Sequence, residues 1–252
     1  MPLDKVQAIV LKTINVGEAD KIITLFTDSH GKIQAVVHGA RKAKSKFLSS
    51  TQMFSYCEYI LYKGRSLYTI SQCEIKESFQ GIIGNLYSLT YCSYLMELVD
   101  VLIQNEEKNI ELFSMLLKTM YLITDEKIDR ELLIRAFELK AMSICGYMPN
   151  LNKCSICGSE PSNIVGFSSK LGGIVCAKCL SNDAYSIKVD ISTINAMRYI
   201  VKTEINKINM IRISQFVKNN MRIVLKNYIK YHLEREFNSL EFLNDIKNID
   251  NI

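Results

Sequence analysis

Histidine is scarce in this chain, with three in 252 residues, and no HExxH motif occurs. That removes the usual helix-borne zinc hydrolase from consideration. No GxxxxGK[ST] loop is present either, so the phosphate cradle of the P-loop nucleotide hydrolases is missing. No apolar run approaches about 18 residues, and the N-terminus lacks a basic-then-apolar leader, so neither a membrane span nor a secretion signal is expected. Internal repeats and low-complexity tracts are absent as well. What is there is ordinary globular usage: 48% hydrophobic and 23% charged, enough to bury a core and too apolar for wholesale disorder.

Cysteine is the informative residue. Of eight, four stand as Cys154-x2-Cys157 and Cys176-x2-Cys179, with eighteen residues between the pairs. Two such knuckles can aim four thiolates at one tetrahedral ion, read here as a single structural Zn2+. Gly158, Gly172 and Gly173 supply the small residues that tight knuckles need. Four cysteine ligands leave no open coordination position, so the ion would neither activate water nor polarise a substrate. Residues 151–182 have few apolar side chains, which makes the metal a clamp for a segment that would not fold alone. Cys57, Cys73, Cys92 and Cys145 lie in apolar surroundings and read as small buried hydrophobes of a reducing cytosol. His30, His38 and His232 read as surface or capping residues.

Charge is unevenly spread. Residues 1–80 carry eleven basic and seven acidic side chains, residues 81–150 six and ten, and residues 151–252 fourteen and nine. Two basic ends flanking an acidic middle favour an extended polyanion as partner. The hydrophobic periodicity also changes along the chain. Up to residue 78 it is β: strands over 6–16, 19–28, 32–38, 53–63 and 66–75, with turns at Gly17–Glu18, at DSHG and across Lys63–Gly64–Arg65. Five short strands suggest an OB-fold barrel, with an SH3-like barrel close behind. Beyond it, helices are predicted over 86–104, 109–123, 128–145, near Ser192 and over 212–233. The fold class is therefore α+β. An OB-fold domain, 1–78, precedes a helical domain, 79–252, in which 151–182 is a zinc-binding insertion. The last dozen residues are expected to fray.

Two basic features follow from the pattern. In HGARKAKSKF, Arg41, Lys42, Lys44 and Lys46 fall within six positions just after a strand, separated by Ala43 and Ser45. Cations so dense repel one another unless an anion neutralises them, and OB barrels bind single strands through such loops. A solvated charged loop is the bland alternative. Lys32 on the preceding strand, with Lys63 and Arg65 at the hairpin, extends the candidate surface. The second feature is Lys218, Arg222, Lys226 and Lys230 at four-residue steps, opposite Val217, Met221, Val224, Leu225, Tyr228 and Ile229. This is either a partner or DNA surface or simply the solvated face of an amphipathic helix. Phe54, Tyr56, Tyr59, Tyr62 and Tyr68 crowd the hairpin; Tyr59 alternates against Tyr56 and Tyr62, so one set belongs to the core.

The stretch VGEADKIITLFTDSHGKIQAVVHGARKAKSKF resembles the N-terminal signature of the bacterial RecO family of recombination mediators. The order of parts is similar too: a barrel, a helical block, four cysteines after Gly146, Tyr147 and Pro149, then closing helices that include YIKYHLEREFNSLEFL. His38 departs from the pattern, which has a basic or apolar residue there. The resemblance implies a non-enzymatic DNA-repair protein of the bacterial cytoplasm, nucleoid-associated during repair. Such a protein binds single- and double-stranded DNA, anneals complementary strands and helps load recombinase. It also implies RecR and the C-terminal tail of the single-stranded-DNA-binding protein as partners. An RNA- or ribosome-associated barrel-plus-ribbon protein shares the charge logic, and a thiol enzyme is a third reading.

Overall fold

A computed structural model of the chain describes residues 3–160, 164–237 and 239. The first strands are β1 (Leu3–Val16), β2 (Asp20–Thr27), β3 (Gly31–Val37), β4 (Tyr56–Lys63) and β5 (Tyr68–Glu77). They close a barrel in the order β1-β2-β3-β5-β4, with β1 and β4 also paired. Every pairing is antiparallel except β3 with β5, where Ala35 meets Tyr68 and Val36 meets Thr69 in parallel. That order and that single parallel seam define the OB-fold. The 14-residue β1 serves two neighbours: its first half pairs with β4 and its second with β2, the register shifting at Leu11. A bulge bends the strand enough for one chain segment to close both sides.

The period of two sorts the barrel's side chains. Val6, Ala8, Val10, Ile23, Leu25, Ile33, Ala35, Val37, Cys57, Tyr59, Leu61 and Ile70 are buried inside. Ile9 and Phe26 are buried as well, although they point outward, because helices cover that face. Helix α1 (Gln80–Ile83) is a single turn, and α2 (Leu86–Leu102) and α3 (Ile110–Ile123) follow. Phe113 of α3 meets the edge of Phe26 at 5.4 Å between ring centres and lies 6.3 Å from Tyr56. Asn85 and Asn109 cap the helices by accepting the N–H groups of Ser88 and Leu112. The change from strand to helix falls near residue 78, but the compact unit holding the barrel extends to Thr124 and takes in Phe237. Phe237 packs edge-on to Tyr94 of α2 at 5.4 Å.

The β3–β5 pairing covers only two residues of β3, so another segment must satisfy the rest of its edge. Residues between α2 and α3 do this. Glu106 donates its N–H to the Lys32 carbonyl at 2.9 Å, and Asn105 bridges Lys32 in parallel. The approach is close: a Cβ on Gly31, whose φ is +65°, would sit 2.0 Å from the Glu107 carbonyl oxygen. Gly31 is thus required twice, for its left-handed backbone and for the space.

The second compact unit is Asp125–Glu236. Helix α4 (Arg130–Ile144) is buried continuously from Leu132 to Leu139, as suits a central helix. Strands β6 (Ile164–Ser168), β7 (Gly173–Cys176) and β8 (Ser186–Asp190) form a sheet in the order β7-β6-β8. The ribbon thus runs past residue 182, through a turn of 3₁₀ helix at Leu180–Asn182, to Asp190. Asp190 caps α5 (Ile191–Lys202), and Ser214 caps α6 (Gln215–Leu233). Val217, Met221, Val224, Leu225, Tyr228 and Ile229 of α6 are buried, the apolar stripe that the sequence predicts. The C-terminal dozen residues, where fraying is predicted, lie outside the described residues.

Candidate nucleic-acid interface and metal centre

The basic loop leaves the barrel at the end of β3, and the β2–β3 register decides what holds it. Counting back from the turn pair Thr27–Gly31, Lys21 falls opposite Val37 and Asp20 opposite His38. The Asp20 carboxylate accepts the Gly39 N–H at 2.8 Å with one oxygen and meets His38 Nδ1 at 2.8 Å with the other. These bonds hold the Asp20 carboxyl below its usual range, the Gly39 N–H contributing most. Arg41 donates its backbone N–H to the Ala19 carbonyl at 2.9 Å and its guanidinium to the Gly17 carbonyl at 2.6 Å. The GEAD turn thereby grips the HGAR segment. His38, the departure from the RecO pattern, is a working part of that grip.

Past the grip, Arg41, Lys42, Lys44 and Lys46 are all exposed, while Ala40 and Phe47 on either side are buried in the barrel core. The loop is thus pinned at both ends with its cations outside. Lys46 reaches toward the Ser71 carbonyl at 3.5 Å and lies 5.0 Å from the Phe47 ring centre. Lys21, which sequence reading passed over, faces the same loop: its ammonium donates to Thr51 Oγ1 at 3.3 Å. Burial, then the charge of Arg41, lowers its pKa. The signal for it was its place beside Asp20 in the signature.

The other cations are placed differently. Lys32 is largely covered, donating to the Asp100 carbonyl and lying 3.2 Å from the Asp100 carboxylate. Lys63 pairs with Glu106 at 2.7 Å, whereas Arg65 is exposed. On α6, Lys218 pairs with Asp129 at 2.8 Å and Lys230 with Glu236; Lys226 is exposed and Arg222 half-buried. Of the hairpin aromatics, Phe54, Tyr59 and Tyr68 are core, Tyr59 donating its hydroxyl to the Ser50 carbonyl. Tyr56 and Tyr62 are half-buried.

In the second unit the four cysteines converge. The Sγ atoms of Cys154, Cys157, Cys176 and Cys179 all lie within 4.8 Å of one another. Local backbone makes this possible. Gly158 (φ +72°) turns the first knuckle and donates to the Cys154 carbonyl at 2.9 Å. In the second, Cys179 donates to the Cys176 carbonyl at 3.0 Å. The knuckles are sewn together where Cys176 N–H reaches Cys154 Sγ at 3.3 Å and Ser155 N–H reaches the Ile174 carbonyl at 2.8 Å. Ser159 favours the Cys157 thiolate, while sharing hydrogen bonds with Cys157 and Cys176 pushes the Cys179 thiol up. Four sulfurs this close cannot all ionise without a cation among them, so the donor set suits a soft metal ion in tetrahedral coordination.

An OB barrel with an anchored cationic loop, joined in one chain to helices and a ribbon whose four cysteines could hold a metal ion, is the architecture of a nucleic-acid-binding protein. Sequence comparison agrees. Residues 1–79 match the family described as Recombination protein O N terminal, and residues 84–241 match Recombination protein O C terminal. The chain is 39% identical to the DNA repair protein RecO of Alkaliphilus metalliredigens, over 97% of this chain and all of that one. It is 38% identical to that of Pelotomaculum thermopropionicum, covering 96% of this chain and 94% of that one. The corresponding protein of Acetivibrio thermocellus is 36% identical over 98% of each. This chain belongs to the RecO family. Among its described residues no helix is long and apolar enough to cross a membrane.

Proposed function

We propose that this protein is a non-enzymatic mediator of DNA repair that binds single- and double-stranded DNA and anneals complementary strands. In this reading it engages RecR and the acidic C-terminal tail of the single-stranded-DNA-binding protein, so that recombinase is loaded on coated DNA. The observation that carries it is the loop at Arg41, Lys42, Lys44 and Lys46, exposed on an OB barrel and fastened to Asp20 and Gly17. Phosphates need only charge brought to one place in a fixed register, and annealing needs no nucleophile or general base. Lys32, Lys63 and Lys218 are tied to carboxylates, so the phosphate-binding role rests on the loop, with Arg65 beside the hairpin.

Zn2+ is the metal that the four cysteines would hold. A tetrahedron with Zn–S bonds of about 2.3 Å has sulfurs about 3.8 Å apart. Cys157 Sγ and Cys176 Sγ are 3.7 Å apart. When bound, the ion supplies cross-linking and no chemistry, because every position is taken by sulfur.

Binding titrations across salt test the reading. Neutralising Arg41, Lys42, Lys44 and Lys46 to glutamine should flatten the slope of log affinity against log salt by about 3. An unchanged slope would sink the loop assignment. Annealing of oligonucleotides coated with single-stranded-DNA-binding protein, with and without its acidic tail, tests the mediator role. Tighter binding to RNA than to DNA of the same sequence would move the function to RNA.

A further inference from the structure

A group of partly exposed aromatics belongs to the second unit. Six rings form the largest contiguous aromatic group among the described residues. Tyr231 and His232 of α6 are 5.3 Å apart, Tyr185 lies 6.4 Å from Tyr231, and Tyr147 lies 5.5 Å from His232. Beneath them Tyr228 touches His232 at 4.4 Å and Phe167 of β6 at 5.5 Å. The lower rings are core: Phe167 and Tyr228 are almost wholly buried, and the Tyr228 hydroxyl donates to the Tyr147 carbonyl at 3.1 Å. The upper rings are not, Tyr185 being 55% exposed, Tyr231 42% and Tyr147 37%.

Three tyrosines pack on buried rings yet keep between a third and just over half of their surface in water. Basic side chains stand beside them. The Lys170 ammonium lies 5.0 Å from the Tyr185 ring centre, and α6 carries four basic side chains between Gln215 and Leu233 and no acidic one. Asp183 lies within electrostatic reach of Lys170, and Glu236 pairs with Lys230. Exposed aromatic faces beside cations are what unpaired bases stack on, since every base presents a π-face while its phosphate seeks a cation.

We propose that Tyr185, Tyr231 and Tyr147, with Lys170 over one face of the Tyr185 ring, form a stacking platform for the bases of single-stranded DNA, a second contact besides the barrel loop. It rests on the reading of DNA as the ligand and adds that this surface distinguishes unpaired from paired strands. In a duplex the base faces are already stacked and closed to it.

The chain contains no tryptophan, so Tyr185→Trp or Tyr231→Trp creates the sole indole, a reporter at the platform. In the metal-loaded full chain, oligothymidylate should quench that indole, and an abasic oligomer of equal length should not. Tyr185→Ala with Tyr231→Ala should weaken binding of oligothymidylate about tenfold, leaving duplex affinity and salt slope unchanged, and phenylalanine at both positions should restore it. Persistent oligothymidylate binding by anisotropy without quenching or alanine effect would overturn the platform and leave the DNA reading standing. Failure of the unaltered protein to bind any DNA would overturn both. Quenching by an acidic peptide but not by oligothymidylate would also overturn the platform.

Discussion

Asp20 and Gly39 are joined across the open end of the β2–β3 hairpin, the carboxylate accepting the glycine N–H at 2.8 Å. Gly39 has a φ of +68°, so the strand turns away there and the cations begin two residues later. One carboxylate thus sets the direction in which four positive charges leave the barrel.

Asp20→Ala is expected to loosen the loop without unfolding the barrel. Amide exchange should accelerate at Gly39 and Arg41, and DNA affinity should fall by less than in the variant with all four cations neutralised. The pH dependence has a definite sign. The native carboxyl is lowered, so its contribution is complete above the ordinary aspartate value of about 3.9 and is lost as pH falls through the lowered native value. Protection at Gly39 measured across that range should follow this course in the unaltered protein and be flat in Asp20→Ala.

Gly31→Ala and Gly17→Ala separate strain from collision. Both glycines have positive φ, but a Cβ on Gly17 meets nothing within 4 Å, whereas one on Gly31 strikes Glu107. The left-handed backbone alone costs an alanine roughly 1–2 kcal/mol. Thermal and urea denaturation should show that loss for Gly17→Ala and a clearly larger one for Gly31→Ala.

Lys32→Ala is expected to lower stability by about 1 kcal/mol and leave the salt dependence of DNA binding untouched. Its ammonium is already engaged by Asp100 through both carbonyl and carboxylate. A double-mutant cycle with Asp100→Asn measures the coupling. A flattened salt slope in Lys32→Ala would return it to the phosphate-binding set.

Arg135 and Glu138 form an ion pair at 2.9 Å inside the helical unit, with 2% and 0% of their side chains exposed. Removing either partner leaves a buried charge, so Glu138→Ala should cost about 3–5 kcal/mol. Denaturant midpoints at unchanged m-value would confirm that native interactions are the source.

Cys176→Ser should abolish stoichiometric metal binding and open residues 151–182 to protease. Amide protection in the barrel strands should remain, since those residues belong to the other compact unit. Chelation of the unaltered protein should give the same digest. Loss of DNA binding with the ribbon still protected would show that the metal site does more than clamp.

Most of the fold was legible because each element announces itself locally. Ile33, Ala35 and Val37 alternate as a strand in a barrel must, and the α6 stripe recurs at helical spacing. The cysteine pairs were equally plain, since a ligand set is a spacing rule. The grip on the basic loop was half legible: the hairpin register puts Asp20 opposite His38, but only coordinates show the Gly39 bond. The fates of Lys32, Lys63 and Lys218 were hidden, because each pairs with a carboxylate more than forty positions away. Tyr185 and Tyr231 gave no signal at all. They are forty-six residues apart and meet only because the segment just before β8 folds against α6.

The backbone patch from Asn105 to Glu107 on the edge of β3 also bears on how this chain divides. By sequence the N-terminal module stops at residue 79. The hydrogen bonds that finish its barrel come from beyond that point, between α2 and α3. A fragment cut at the sequence boundary would therefore carry a bare strand edge, the usual seed of intermolecular pairing. One cut after Thr124 would carry its own closure. The unit of similarity and the compact structural unit are different stretches of this protein.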